Sequence, residues 1–168
     1  MSQRLRFVFV FAFIALSLGT TASVSLAQSV PYKSQGTGGY FPATGDYSGT
    51  GVGTHLGNLT FSGNVAIAPT ANPLIFDWWL TVPQETVAAN GDTLLFSGAG
   101  QVELFPLDAT TFVAIWQGDF VVEGGTGRFA GAQPADEPLQ VVAINDPFTL
   151  LDPEWFFSWT VTGQIVLH

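Results

Sequence analysis

The sequence predicts an all-β protein, with one antiparallel sheet of eight strands closed into a barrel. After residue 46, β-branched and aromatic residues alternate with polar ones between glycines and prolines, and no run longer than a few residues has helical spacing. The chain also has 19 glycines among 168 residues, which suits sharply bent strands. Closure into a barrel removes exposed strand edges, and a two-sheet sandwich is the alternative.

Residues 1–27 have the layout of a secretory signal peptide. Arg4 and Arg6 precede an apolar run of 13 residues, and small residues lead to a cleavage site after Ala27. The apolar run is short for a membrane anchor, because a bilayer core of about 30 Å needs about 20 residues. We therefore expect a secreted or periplasmic protein, with no membrane attachment after cleavage.

The charge of the remaining chain limits its partners. After cleavage two basic residues, Lys33 and Arg128, would stand against 13 acidic ones. Such a surface repels phosphate backbones, so no nucleic-acid binding is expected. There are no cysteines, which excludes disulfides and thiolate chemistry.

The strands can be assigned in order along the chain. Residues 28–46 are rich in Gly, Ser and Thr without periodicity and predict a flexible lead-in, so the barrel domain is expected over 47–168. Strands follow in 47–67, 77–88, 93–105, 110–122, 139–144 and 155–167. Pro83 should break the second of these. Asn90 and Gly91 predict a type I′ hairpin turn after it.

A glycine-built corner over residues 124–132 ends the strand of residues 110–122. Gly124, Gly125 and Gly127 supply backbone conformations that other residues avoid, and Phe129 should re-enter the core beyond them. These glycines, with Asn90 and Gly91, are predicted structural turn residues. Arg128 is expected to pair with a carboxylate such as Glu123, or with carbonyls of the corner.

Four short motifs together resemble a known family. They are GTHLG at 53–57, ANGDTL at 89–94, GGTGRFAGA at 124–132 and VTGQI at 161–165. In this order the chain resembles the small exported bacterial proteins of the allene oxide cyclase barrel-like group, and its glycine corner resembles that of plant dirigent proteins. The resemblance implies an eight-stranded antiparallel barrel with an apolar central cavity, often assembled as a trimer. The family's polar pocket residues cannot be matched to positions here.

Catalytic candidates are few. Glu103 and Asp119 lie inside predicted strands, and a carboxylate held in an apolar lumen would act as a general acid. The alternative is that both face solvent. His55 has no second histidine nearby in sequence and fits a structural role in a strand bend at least as well as catalysis. No metal or cofactor motif is present, so neither is predicted.

Aromatic residues are the candidates for ligand binding. Trp78, Trp116, Trp159 and Phe112 lie on the apolar face of their strands, where they either line a cavity or fill the core. The neighbouring Trp78 and Trp79 must point to opposite faces, so one of them should be exposed or covered by a partner.

Three functions fit these observations. The barrel either binds a small apolar molecule without chemistry, or guides cyclisation of such a molecule as an isomerase, or has a filled interior and serves as an extracellular or envelope interaction module. The first two need a cavity of roughly a few hundred Å³. The third predicts a packed interior and an apolar outer patch.

Overall fold

The computed structural model describes residues 27–168, which form one antiparallel sheet with eleven strands. Residues 1–26 of the predicted signal peptide lie outside the described residues. The strands are β1 (Gln28–Phe41), β2 (Asp46–Gly53), β3 (Gly57–Pro69), β4 (Ile75–Leu80), β5 (Gln84–Ala88), β6 (Thr93–Pro106), β7 (Thr111–Gly125), β8 (Gln133–Pro134), β9 (Leu139–Asn145), β10 (Phe148–Thr149) and β11 (Trp155–Leu167). Within 27–168 no helix is long and apolar enough to span a membrane.

The sheet closes on itself as an eight-stranded barrel, as the sequence predicts. Each long strand pairs with the next along the chain, β4 and β5 together fill one place between β3 and β6, and β11 returns to pair with β1. The closing pair runs from Gln28 opposite Leu167 to Tyr40 opposite Trp155. Because the strand pairing is continuous around the ring, the sheet is not divided into two, which excludes the two-sheet alternative.

The flexible lead-in predicted for residues 28–46 is wrong. Gln28–Phe41 is a fourteen-residue strand, and it pairs on one side with β11 and on the other with β2. Without this strand the ring would not close. Two of the glycines in this segment lie against a neighbouring strand: a Cβ at Gly36 would meet the Thr50 carbonyl, and one at Gly38 would meet the Ser48 carbonyl and the Phe157 ring.

The broken strand confirms the role of Pro83. β4 ends at Leu80 and β5 begins at Gln84, and both pair with β6. The turn after β5 differs from the type I′ prediction, because Gly91 has φ of 87° but Asn90 has no positive φ. The Gly91 amide donates to the carbonyl of Ala88, and the Ala88 amide donates to that of Asp92. This is a three-residue loop closed by a left-handed glycine.

Inward-facing glycines make room for the aromatic rings of the core. A Cβ at Gly98 would lie 2.3 Å from Phe120, and one at Gly118 would lie 2.5 Å from Trp78. Contacts this short cannot be relieved without moving the ring, so glycine on one strand lets the ring of another cover it.

Different groups pack at the two ends of the barrel. At one end the rings of Phe148 and Trp155 stack with centroids 4.0 Å apart, and Tyr40 lies 5.4 Å from Trp155. At the other end the glycine corner directs Phe129 into the core, where it is fully buried, as predicted. Four aliphatic side chains are buried with it at this end: Leu56, Leu94, Leu139 and Ile165.

Candidate functional site

A cavity of about 100 Å³ lies inside the barrel, between these two ends. Its wall is mostly aromatic. The lining rings are Tyr32, Tyr40, Tyr47, Phe61, Trp78, Phe96, Trp116, Phe120, Phe157 and Trp159. Most neighbouring rings lie with centroids 5–6.5 Å apart and are tilted or edge-to-face, such as Trp159 and Phe61 at 5.1 Å. The cavity is smaller than the few hundred Å³ expected from the sequence, and is closer to one that accepts a single ring.

Neutral polar side chains from three strands, β1, β2 and β5, interrupt this apolar wall. The Tyr47 hydroxyl donates to Gln84 Oε1 at 2.8 Å, and Gln84 Nε2 donates to Thr86 Oγ1 at 3.0 Å. Separately, Ser34 Oγ donates to the Tyr32 hydroxyl at 3.2 Å. All five residues line the cavity. Since a buried polar group needs a partner, these bonds account for part of the hydrogen-bonding capacity of the wall.

The lumen holds its tyrosines in the neutral form. Burial raises the pKa of Tyr32 to about 12, against a smaller opposing effect of the hydrogen bond from Ser34. Burial also raises the pKa of Tyr40 and of Tyr47. At neutral pH these hydroxyls therefore keep their protons, and they can donate hydrogen bonds but cannot act as bases.

The side-chain amide of Asn145 holds Trp116 in the cavity wall by a hydrogen bond. Trp116 Nε1 donates to Asn145 Oδ1 at 2.7 Å, and Asn145 Nδ2 donates to the Phe156 carbonyl at 3.1 Å. Asn145 is only 2% exposed. By contrast, the indole N–H groups of Trp155 and Trp159 are buried and have no acceptor within residues 27–168.

The three catalytic candidates lie outside the lumen. Glu103 and Asp119 are exposed on the outer face of β6 and β7, and Asp119 accepts a hydrogen bond from Gln140 at 2.6 Å. His55 is exposed in the β2–β3 turn with φ of 63°, and its Nε2 lies 3.2 Å from the Pro31 carbonyl. Within the described part of the chain no three His, Cys, Asp or Glu residues are close enough to hold a metal ion.

Three of the four predicted ligand-binding aromatics line the cavity: Trp78, Trp116 and Trp159. Phe112 does not. It lies at the end of the barrel formed by Phe148 and Trp155, and its ring centroid is 6.4 Å from that of Phe148. As expected from their adjacency, Trp78 faces inward and Trp79 is 43% exposed.

Arg128 pairs with Asp92 rather than with Glu123. Its Nε lies 3.5 Å from Asp92 Oδ2, and its guanidinium lies over the Phe129 ring. Glu123 instead accepts a short hydrogen bond from Ser97. The arginine therefore secures the glycine corner to the β5–β6 turn and takes no part in the cavity.

Sequence reasoning missed the polar half of the site. Tyr32 and Ser34 fell in the supposed lead-in, and Gln84 and Thr86 follow the break at Pro83. A signal was present: Tyr32, Ser34, Gly36, Gly38 and Tyr40 alternate with outward residues at period two, as a strand requires.

The fold and the cavity define a small, closed antiparallel barrel with an aromatic lumen and neutral polar groups in its wall. The chain matches no protein-family profile, no curated protein and no solved structure. The resemblance to allene oxide cyclase barrel-like and dirigent proteins therefore stays a prediction.

Proposed function

We propose that the protein binds a small, uncharged, mostly apolar molecule inside the barrel, after export from the cell. The observation that carries this proposal is the aromatic cavity, about 100 Å³ in volume, whose wall contains no charged side chain. Its size suits a molecule of about one ring, because an apolar cavity of roughly 150 Å³ accepts benzene.

The electrostatics of the lumen favour a neutral ligand. No lysine, arginine or histidine lines the cavity, so a buried anion would have no counter-charge. The charge of the exported chain, two basic residues against 13 acidic ones, further disfavours anions. A buried cation would likewise find no carboxylate, and leaving either charge unpaired costs several kcal/mol.

The test is calorimetric titration with toluene and cyclohexane, with benzoate as the charged comparison. We expect binding of the neutral compounds only. Ala143→Leu should abolish it by filling the lumen, because Ala143 lines the cavity. Val142→Leu is the matched control, since Val142 is the adjacent residue on the same strand and faces outward. No heat with any neutral ring, or equal binding by both variants, would contradict the proposal.

A second candidate is an interaction module, and one observation favours it. The loop between β10 and β11 presents Leu150 and Leu151 to solvent, and Leu151 is 94% exposed. Adjacent exposed leucines in an acidic protein suit an apolar partner surface. Leu150→Ser with Leu151→Ser should then abolish partner capture without changing ligand titration. Unchanged capture would remove this candidate.

Catalysis by the lumen is the weakest of the three. A cyclase would need a polar group in the cavity, which Tyr32, Tyr47 and Gln84 supply. However, none of these is a proton acceptor strong enough for general-base work at neutral pH. The proposed activity is therefore binding. Any reaction of a bound ring would have to depend on how the cavity orients that ring, without a general base.

A further inference from the structure

We infer that one end of the barrel rests on the surface of a neutral lipid membrane, with the leucines of three loops inserted among the lipid chains. This inference rests on the second candidate function, for which it names the partner. It does not depend on what the barrel cavity holds.

The barrel end at Phe148 and Trp155 carries a row of exposed apolar side chains. Leu107, in the turn between β6 and β7, and Leu150 are each 58% exposed, and Leu151 is the most exposed of all. We call the whole row the apolar rim, and it consists of Leu74, Phe105, Leu107, Leu150 and Leu151. So much exposed apolar surface at one end indicates contact with an apolar partner.

Backbone pairing shows that the apolar rim is continuous. The Leu107 amide donates to the Thr111 carbonyl at 2.8 Å, and Thr149 at the end of β10 pairs with the same Thr111. On the other side the Leu104 amide donates to the Leu74 carbonyl at 2.8 Å. The β3–β4, β6–β7 and β10–β11 loops therefore lie side by side at this end of the barrel.

The shape of the apolar rim suits a fluid surface better than a protein partner. Its leucines project from loops, and none of them lines the barrel cavity. A protein partner would need a complementary pocket for each projecting side chain, whereas lipid chains can pack around all of them. Apolar side chains buried to a shallow depth hold a protein on a membrane without spanning it.

The charges of the chain select a neutral membrane. In residues 27–168 the only lysine and the only arginine are Lys33, in the first half of β1, and Arg128, in the glycine corner, and neither lies at this end. Anionic lipids are attracted by clusters of such basic residues. Asp108 and Asp152, next to the leucines in sequence, would instead repel an anionic surface.

The same two carboxylates hold the loops in place. Asp108 accepts a hydrogen bond from the Thr111 amide at 2.8 Å, and Asp152 accepts one from the Thr149 amide at 2.7 Å. The leucines are therefore presented by turns with a fixed shape. The expectation of no membrane attachment, which concerned an apolar anchor, is thus replaced by contact at the surface.

The experiment is sedimentation of the protein with phosphatidylcholine vesicles. We expect cosedimentation, and we expect an admixture of phosphatidylglycerol to weaken it. Leu150→Ser with Leu151→Ser should lower the partition coefficient at least about tenfold, because the burial of each leucine contributes to binding. Val52→Ser with Val121→Ser is the matched control, since both valines are exposed on strands of the barrel wall, and should leave the partition coefficient unchanged.

A fluorescent label locates the contact. The chain has no cysteine, so Leu74→Cys places a single environment-sensitive fluorophore on the apolar rim. Its emission should move to shorter wavelength when phosphatidylcholine vesicles are added. The same label on Val52→Cys should show no such shift.

Three results would overturn this inference: no cosedimentation with phosphatidylcholine, tighter binding to vesicles that contain phosphatidylglycerol, or an equal effect of the leucine and valine variants. A dimer in lipid-free solution that the leucine variant converts to a monomer would also overturn it, because the apolar rim would then join two copies of the chain. Toluene titration of the same proteins tests the proposed binding function separately, so that the two failures are distinguishable.

Discussion

The side chain of Tyr47 lies over Gly63, its direct partner across the β2–β3 pair. A Cβ at position 63 would lie 2.5 Å from the tyrosine hydroxyl oxygen and 2.6 Å from the ring carbon that carries it. The same hydroxyl donates to Gln84 in the cavity wall. The absence of a side chain at Gly63 therefore leaves the space that the Tyr47 hydroxyl occupies when it donates to Gln84.

Gly63→Ala should destabilise the protein by about 1–3 kcal/mol, because the added methyl group displaces the Tyr47 ring. In a Tyr47→Ala background the same substitution should cost at least about 1 kcal/mol less, since nothing then occupies the space. Urea unfolding of the four proteins measures this coupling. Additive effects would show that the two residues do not constrain each other.

The three tyrosines of the chain, Tyr32, Tyr40 and Tyr47, should resist ionisation. Burial raises the pKa of all three, that of Tyr32 to about 12. Absorbance near 295 nm should therefore stay flat through pH 10, where a free tyrosine is half ionised. The neutral tyrosines stabilise the fold fully below pH about 10, and this stabilisation is lost as pH rises through the folded pKa values. A titration with a midpoint near 10 in the folded protein would contradict a buried location.

At pH values above its ordinary pKa, the Asp92 carboxylate should stabilise the glycine corner. Its carboxylate accepts a hydrogen bond from the Asn90 side chain and another from the Arg128 amide, and these lower its pKa, with a smaller contribution from the Arg128 charge. The unfolded chain then binds the proton more readily. The stabilisation is thus present above pH about 4 and is lost as pH falls through the folded pKa.

Asp92→Asn should accordingly lower the melting temperature at pH 7, and the difference from the natural protein should shrink in acid. Asp136→Asn is the control, because Asp136 is exposed and lies outside this corner. If the difference in melting temperature between Asp92→Asn and the natural protein did not depend on pH, the charge of Asp92 would not be the cause of the stabilisation.

Glu103→Gln, Asp119→Asn and His55→Ala should leave ligand affinity within about twofold of the natural protein, a difference of about 0.4 kcal/mol. All three side chains lie outside the lumen. Calorimetric titration with toluene checks this. A tenfold loss in any of them would place that residue at the binding site and move the site away from the cavity.

The sequence predicts the barrel better than its contents. Strict alternation in residues 155–167 and the break at Pro83 follow from strand geometry alone, and both are found. The first strand was missed because Gly36, Gly38 and Gly39 dilute its pattern, although two of these contact rings or backbone inside the barrel. The residues of this segment alone predict flexibility, because the rings that require those glycines come from residues distant in sequence.

Some residues of the site could likewise be predicted from the sequence, and others could not. The inward orientation of Trp78, Trp116 and Trp159 could be predicted, because the alternation of apolar and polar residues is visible within a single strand. Phe112 lies on the apolar face of its strand as well, but beyond the cavity, at the barrel end beside Phe148. The distance along the barrel axis depends on the stagger between strands, which no single strand records. For the same reason the pairing of Tyr47 with Gln84 could not be predicted, because 37 residues separate them.

A crystal structure of the protein pressurised with xenon tests the cavity directly, because xenon enters apolar cavities of this kind. We predict a closed eight-stranded ring with one xenon site inside it, among Trp78, Phe96 and Trp159. A lumen filled by side chains, with xenon absent or bound only on the outer surface, would contradict it.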